Sequence, residues 1–142
     1  MKSKFFLMMA LMLPLLFVSC GDDDEPSSGI NGTWVKKATD DTATGALQFT
    51  FKGNSVTYYE EWIEDGEVDD QDTYKGTFTL DEEEGTITMD MYYYYRNGER
   101  DDDYPETWVF DYSIANKELT LTAVSRDARD YFGSYSHTYK KK

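Results

Sequence analysis

The chain has 142 residues, of which 28 are acidic and 14 basic, for a net charge of −14. Such a balance repels phosphate backbones, which excludes nucleic-acid binding, and the length suits one domain with one core. Aromatic residues make up 16% and include 12 Tyr; disordered acidic chains are aromatic-poor, so disorder is excluded too, and tyrosine with threonine favours strands.

Lys2 and Lys4 precede an apolar run over residues 5–18 that is broken only by Pro14. At ~14 residues the run is too short for a hydrocarbon core that needs about 20, so residues 1–19 read as a secretory signal. Ser19-Cys20 ends it at the only cysteine. A small residue followed by cysteine resembles the lipobox of bacterial lipoproteins, with Phe17 where that pattern usually has an aliphatic residue. The resemblance implies that Cys20 is lipidated on its sulfur, that the chain is cut before it, and that its new amino group is acylated. One acyl chain holds a protein marginally, two or more hold it firmly. The competing reading is an ordinary signal peptide beside a free cysteine. The run Gly21-Asp22-Asp23-Asp24-Glu25 resembles the export signal of Bacteroidota lipoproteins, which implies an outer-membrane protein exposed on the cell surface. As plain chemistry it is a solvated spacer. Residues 20–29 thus form an acidic, flexible tether, and residues 30–142 form the domain.

Within the domain, short alternating runs are separated by turn signals, and no long helical period occurs. The first strand is predicted over residues 32–37, followed by a loop at 40–45. Residues 47–52 alternate strictly, turn at Gly53-Asn54 and return over 55–63. A two-residue turn sets Phe51 opposite Val56, Phe49 opposite Tyr58 and Leu47 opposite Glu60, all on one face. After the Asp65-Gly66 bend, the acidic stretch to Asp72 reads as solvated loop. The strand at 73–80 turns Tyr74, Phe78 and Leu80 inward, with Gly76 at a sharp bend. The strand at 86–95 puts Ile87, Met89, Met91, Tyr93 and Tyr95 on one face, and Thr88, Asp90, Tyr92 and Tyr94 on the other. Asn97-Gly98 and Asp101-Asp102-Asp103 belong to a polar hairpin tip. Trp108, Phe110, Tyr112 and Ile114 face inward from 107–114, and Leu119, Leu121 and Ala123 from 118–124. Residues 125–130 read as a charged connection with room for one helical turn, and 131–139 as the last strand before a frayed lysine tail.

Eight strands with one apolar face throughout are best closed into an all-β, antiparallel up-and-down barrel, because a flat meander exposes two edges and its whole apolar face. The alternative is an open β-sandwich. Gly32-Thr33-Trp34 resembles the Gly-x-Trp signature of lipocalins. The later frame Phe49-x-Phe51, Gly53-Asn54, Gly76-x-Phe78, Tyr112-x-Ile114 and Leu119-x-Leu121 is similar to the short lipocalin-like domains of Bacteroidota lipoproteins. The resemblance implies that Trp34 floors the barrel and stacks on an arginine of the last strand; Arg126 and Arg129 both precede that strand here.

On this register the interior gains polar tips from Tyr58, Glu60, Tyr74, Tyr93, Tyr95 and Tyr112, with Tyr135 and His137 as further candidates. Aromatic walls with a few polar handles suit a small apolar or amphipathic ligand. The bland counterpart is a filled barrel whose tyrosines only pack, acting instead as an interaction module for a glycan or another envelope protein. Tyr92, Tyr94 and Tyr59 would then offer an outer aromatic platform. Neither Asp101-Asp102-Asp103 nor Glu82-Glu83-Glu84 has the alternating spacing of a calcium loop, and a lone histidine rules out a histidine-based metal site. No nucleophile-elbow pattern is present. The residues point to no enzyme, no metal and no cofactor.

Overall fold

The structure, a computed structural model, describes residues 29–39, 43–101 and 105–142. The signal, Cys20, tether residues up to Ser28, and Asp102 and Asp103 lie outside the described residues. The strands are β1 (Gly32–Thr39), β2 (Ala43–Lys52), β3 (Ser55–Glu64), β4 (Glu67–Asp81), β5 (Thr86–Arg96), β6 (Glu99–Asp101), β7 (Glu106–Ala115), β8 (Glu118–Ala123) and β9 (Ser136–Lys141), with one short helix, α1 (Arg126–Phe132), before β9. The ring runs β1-β2-β3-β4-β5-β7-β8-β9 and back to β1, every neighbour antiparallel, with β6 added outside the ring against β5. The eight-stranded barrel is therefore closed, and the open sandwich is excluded.

Tight hairpins follow from local chemistry. Asp65-Gly66, Asn97-Gly98 and Asn116-Lys117 all hold positive φ at both central positions, the geometry whose twist matches the flanking strands. Lys117, at φ 62°, is the residue least suited to it. The β2–β3 pairing places Phe51 opposite Val56, Phe49 opposite Tyr58 and Leu47 opposite Glu60, the register that the alternation predicts.

Cross-strand rows stack into layers along the barrel. Trp34, Phe49, Tyr58 and Tyr74 are successive partners across β1, β2, β3 and β4 and form one aromatic layer. Phe51, Phe78, Ile87, Met89, Leu119 and Leu121 fill the space towards the closed end, and Trp108, Phe110 and Tyr139 complete the core. Each large side chain buried this way contributes about 1.5–3 kcal/mol. The chain enters at the closed end, where Trp34 Nε1 donates to the Ile30 carbonyl at 2.6 Å and Lys141 Nζ stands 5.1 Å over the indole. The cation on Trp34 comes from a lysine of the last strand rather than an arginine, and that end of the chain is paired, not frayed: Lys140 and Lys141 sit opposite Val35 and Trp34.

The structure corrects the sequence reading in four further places. First, β4 starts at Glu67, so the acidic stretch to Asp72 is strand, not loop. The tight Asp65-Gly66 turn carries the ladder straight on, and Asp70 and Asp72 find partners in Arg96 and the Tyr94 hydroxyl. Second, β2 starts at Ala43 and absorbs Thr44 and Gly45 from the expected loop.

Third, the register between β4 and β5 slips, with Lys75 opposite Tyr93 but Gly76 opposite Met91, so Tyr92 is an extra, bulged residue. Alternation inverts there. Tyr94 turns inward, its ring stacked on Tyr74 at 4.7 Å, while Tyr93 and Tyr95 lie outside under Arg100 and Lys75 respectively. Tyr93 and Tyr95 therefore do not line the interior, and Tyr94 leaves the outer platform. Gly76 makes the bulge possible: a Cβ there would fall 1.9 Å from the Asp90 carbonyl oxygen.

Fourth, the last strand begins at Ser136, because residues 126–132 are helical. Ser125 caps α1 by accepting from the Ala128 N–H, and Gly133 ends it at φ 78°.

Candidate ligand-binding cleft

Above the aromatic layer the inward positions become polar. Lys36, Leu47 and Glu60 form one row across β1, β2 and β3, and Ala38, Gly45 and Trp62 form the next. Gly45 is required where it stands, since a Cβ would lie 2.9 Å from the Trp62 ring. From the other side α1 lowers Phe132 into the barrel, with ring contacts to Tyr58, Trp108 and Phe110 at 5.1–5.2 Å. Phe132 is the plug. Tyr131 lies beside it, 5.4 Å from Trp108 and 5.5 Å from Tyr74. Over this plug remains a cleft of about 380 Å³ lined by Ala38, Leu47, Trp62, Phe132 and Tyr135, with Lys36, Glu60, Tyr58, Tyr131 and His137 as its polar members.

Glu60 is held by three donors: the Tyr58 hydroxyl at 2.9 Å, the Tyr131 hydroxyl at 3.1 Å and Trp62 Nε1. Charge-assisted bonds of this kind let a carboxylate sit against aromatic rings. Burial, reinforced by neighbouring Tyr139, Glu60 and Tyr131, pushes the Tyr58 hydroxyl well above the ordinary range. Burial also raises Tyr131, followed by its bond to Tyr74 and the charge of Glu60. Both remain neutral donors at any physiological pH.

Across the cleft, His137 Nε2 lies 2.7 Å from the Phe132 carbonyl, which can only accept, so that nitrogen carries the proton. Its Nδ1 is then an acceptor for Lys36 Nζ, 2.7 Å away. Burial holds His137 below the usual imidazole range, and the Lys36 charge adds to this against the opposing pull of the Phe132 bond. Burial also lowers the Lys36 amine. Beneath them Tyr139 is 1% exposed, and among the described residues its hydroxyl has no hydrogen-bond partner. That hydroxyl is raised by burial first and then by Glu60 and Tyr135, both at the cleft.

Of the expected lining residues, Tyr58, Glu60, Tyr135 and His137 meet at the cleft. Tyr74 lies under it, packed between Tyr94, Trp108 and Tyr131. Tyr112 sits towards the closed end opposite Leu121 and is half-buried. Sequence reasoning missed Lys36, Trp62, Tyr131 and Phe132. A signal for the first two was present: Tyr58-x-Glu60-x-Trp62 puts a carboxylate between two aromatic donors on one strand face, and Lys36 follows Trp34 by two. Glu106 and Trp108 repeat the device on β7, with Trp108 Nε1 donating at 2.7 Å. In comparison with known proteins, the chain matches no family model, no curated protein and no solved structure.

Proposed function

We propose that the protein is a lipid-anchored, cell-surface lipoprotein of the bacterial outer membrane whose lipocalin-like barrel holds a small amphipathic ligand in the mouth cleft, above a solid core. The leader, Cys20 and the acidic run support the anchor and the location. Gly-x-Trp, the closed ring and the cation over Trp34 support the lipocalin-like reading. The observation that carries the binding reading is the cleft itself, with apolar walls, convergent polar handles and an unpartnered Tyr139 hydroxyl beneath it. Phe132 restricts the ligand to the upper part of the barrel. The Gly29 carbonyl accepts from Lys141 at the closed end, so the described chain starts at the end opposite the cleft.

Uptake of N-phenyl-1-naphthylamine, followed by its fluorescence, tests the binding. Tyr131→Ala with Trp62→Ala should abolish it, and Tyr93→Ala with Tyr95→Ala should leave it unchanged; equal uptake by both pairs sinks the reading. Labelling with a radioactive fatty acid tests the anchor, since a Cys20→Ala protein that still labels contradicts it.

The second reading, a filled barrel that meets a glycan or another envelope protein, draws on the outer face of β5, where Tyr92 and Tyr93 are 48% and 43% exposed. Loss of cell-envelope pull-down partners or of glycan-array signal in Tyr92→Ala with Tyr93→Ala, with probe uptake intact, would favour it.

A further inference from the structure

The Lys36–His137 pair does more than decorate the cleft wall. Ladder pairing between β1 and β9 is confined to Trp34 opposite Lys141 and Val35 opposite Lys140. Beyond these two pairs, the side-chain bond from Lys36 to His137 links the strands. That bond has an unusual chemical form. The partner of the lysine is not a carboxylate but the lone pair of a neutral imidazole, whose tautomer is fixed from behind by the Phe132 carbonyl at 2.7 Å. The carboxylate of the cleft, Glu60, is already engaged by Tyr58, Tyr131 and Trp62. Lys36 shares the cleft lining with the apolar side chains of Ala38, Leu47, Trp62 and Phe132. Among the described residues Lys36 has no carboxylate partner, and a lysine on a partly apolar cleft wall with a proton acceptor in contact is arranged as a nucleophile.

We propose that Lys36 is a covalent attachment point for small apolar aldehydes that enter the cleft, with His137 as its proton acceptor. This rests on the reading of the cleft as a ligand site and names the ligand class. His137 Nδ1 takes a proton from the Lys36 ammonium. The freed lone pair attacks the carbonyl carbon, and the carbonyl π pair moves to oxygen. The new nitrogen loses one more proton and the oxygen gains two, so that water leaves and a carbon–nitrogen double bond remains. Amine plus aldehyde gives imine plus water, with no change of oxidation state. Burial lowers the basicity of Lys36, which favours the free amine, and holds the resting ring neutral, so that Nδ1 keeps its lone pair.

The experiment treats the folded domain with octanal and sodium cyanoborohydride at pH 7, maps adducts by peptide mass spectrometry, and titrates 1-octanol separately against tryptophan emission. Lys36 should label at least tenfold faster than its neighbour Lys37, which is exposed on the same strand. His137→Gln should reduce that preference to near parity at pH 7, and the gap between wild type and variant should narrow as the pH rises to 9.5, because hydroxide then frees both amines. The other ionisable groups facing this corner, Glu60 and Tyr58 from β3, Tyr131 from α1, Tyr139 from β9 and Tyr135 beside the His137 ring, are unchanged in that variant. A purely structural histidine would leave the ratio of Lys36 to Lys37 labelling at pH 7 unchanged in that variant. Lys36→Arg keeps the charge and should give no adduct at that position. Octanol binding without Lys36 preference overturns this inference and leaves the cleft reading standing. Lys36 preference without octanol binding supports attachment and contradicts reversible occupancy of the cleft. Absence of both overturns both.

Discussion

The two ends of the barrel are built from the same strands and closed by different means. At the closed end Trp34 gives its N–H to a backbone carbonyl, Lys141 covers its ring, and the β1–β9 ladder seals the wall. At the mouth the wall is held by side chains: Glu60 gathers Tyr58, Tyr131 and Trp62, and Lys36 reaches His137. Backbone pairing and apolar packing leave little to titrate and little room. A side-chain network leaves a cleft, ionisable groups and a buried hydroxyl that has no partner among the described residues. Function, on this account, belongs at the end where side chains rather than backbone complete the ring.

The most damaging way to break the contrast is Gly76→Ala. Gly76 sits where the β5 bulge divides the two halves, and a methyl group there meets backbone at 1.9 Å. The expected loss is about 4 kcal/mol or failure to fold, read by urea unfolding; a near-neutral result would mean that the bulge is not needed. Phe132→Ala comes next, at about 3 kcal/mol. It should also deepen the cleft, so N-phenyl-1-naphthylamine binding should tighten while stability falls. Unchanged binding would show that Phe132 does not stopper the barrel. Glu60→Leu strands three donors and should cost about 1–3 kcal/mol in urea unfolding, with Glu60→Gln recovering part of it. If Glu60→Leu is stabilising, the network is not what holds the mouth.

Alkaline pH separates the ends without mutation. Tyr59 is pushed up to about 12 by burial and its bond to Glu61, and Tyr58, Tyr74, Tyr94, Tyr131 and Tyr139 are raised as well. In the unfolded chain these hydroxyls ionise near 10, so above that pH the unfolded state holds fewer protons. Their contribution is complete below pH 10 and is lost as pH rises towards 12 and beyond. Thermal melts from pH 8 to 12 should fall only above 10, with tyrosinate absorbance appearing with unfolding; free titration of all tyrosines in the folded state would contradict the network. Smallest is Lys141→Met, which removes the cation over Trp34 and should cost under about 1 kcal/mol in urea unfolding. A loss of several kcal/mol would mean that the closed end also depends on charge.

How far the sequence reveals this differs between the halves for a physical reason. Strict alternation and the Gly53-Asn54 turn give the β2–β3 register outright, because Phe49 and Phe51 contrast with Gln48 and Thr50. The run from Tyr92 to Tyr95 has no such contrast, so a one-residue slip leaves no trace in polarity, and only Gly76 hints at it. The helix was signalled by Ser125 and Gly133, yet Tyr131 and Phe132 have strand-like character that hid it. Acidic residues 67–72 look like loop by composition, but pairing with β3 and the partners of Asp70 and Asp72 outweigh that. The cleft was half legible. Tyr58, Glu60 and His137 follow from strand alternation, whereas Tyr131 and Phe132 reach it only through the tertiary placement of α1.

The most direct test is hydrogen exchange of the folded domain with and without saturating N-phenyl-1-naphthylamine. Protection should increase in β1 from Lys36 to Thr39, around Glu60 and Trp62, and from α1 into His137, while peptides carrying Phe51, Met89 and Leu119 stay unchanged. Protection of those closed-end peptides, with the mouth unaffected, would contradict a solid core beneath a binding mouth.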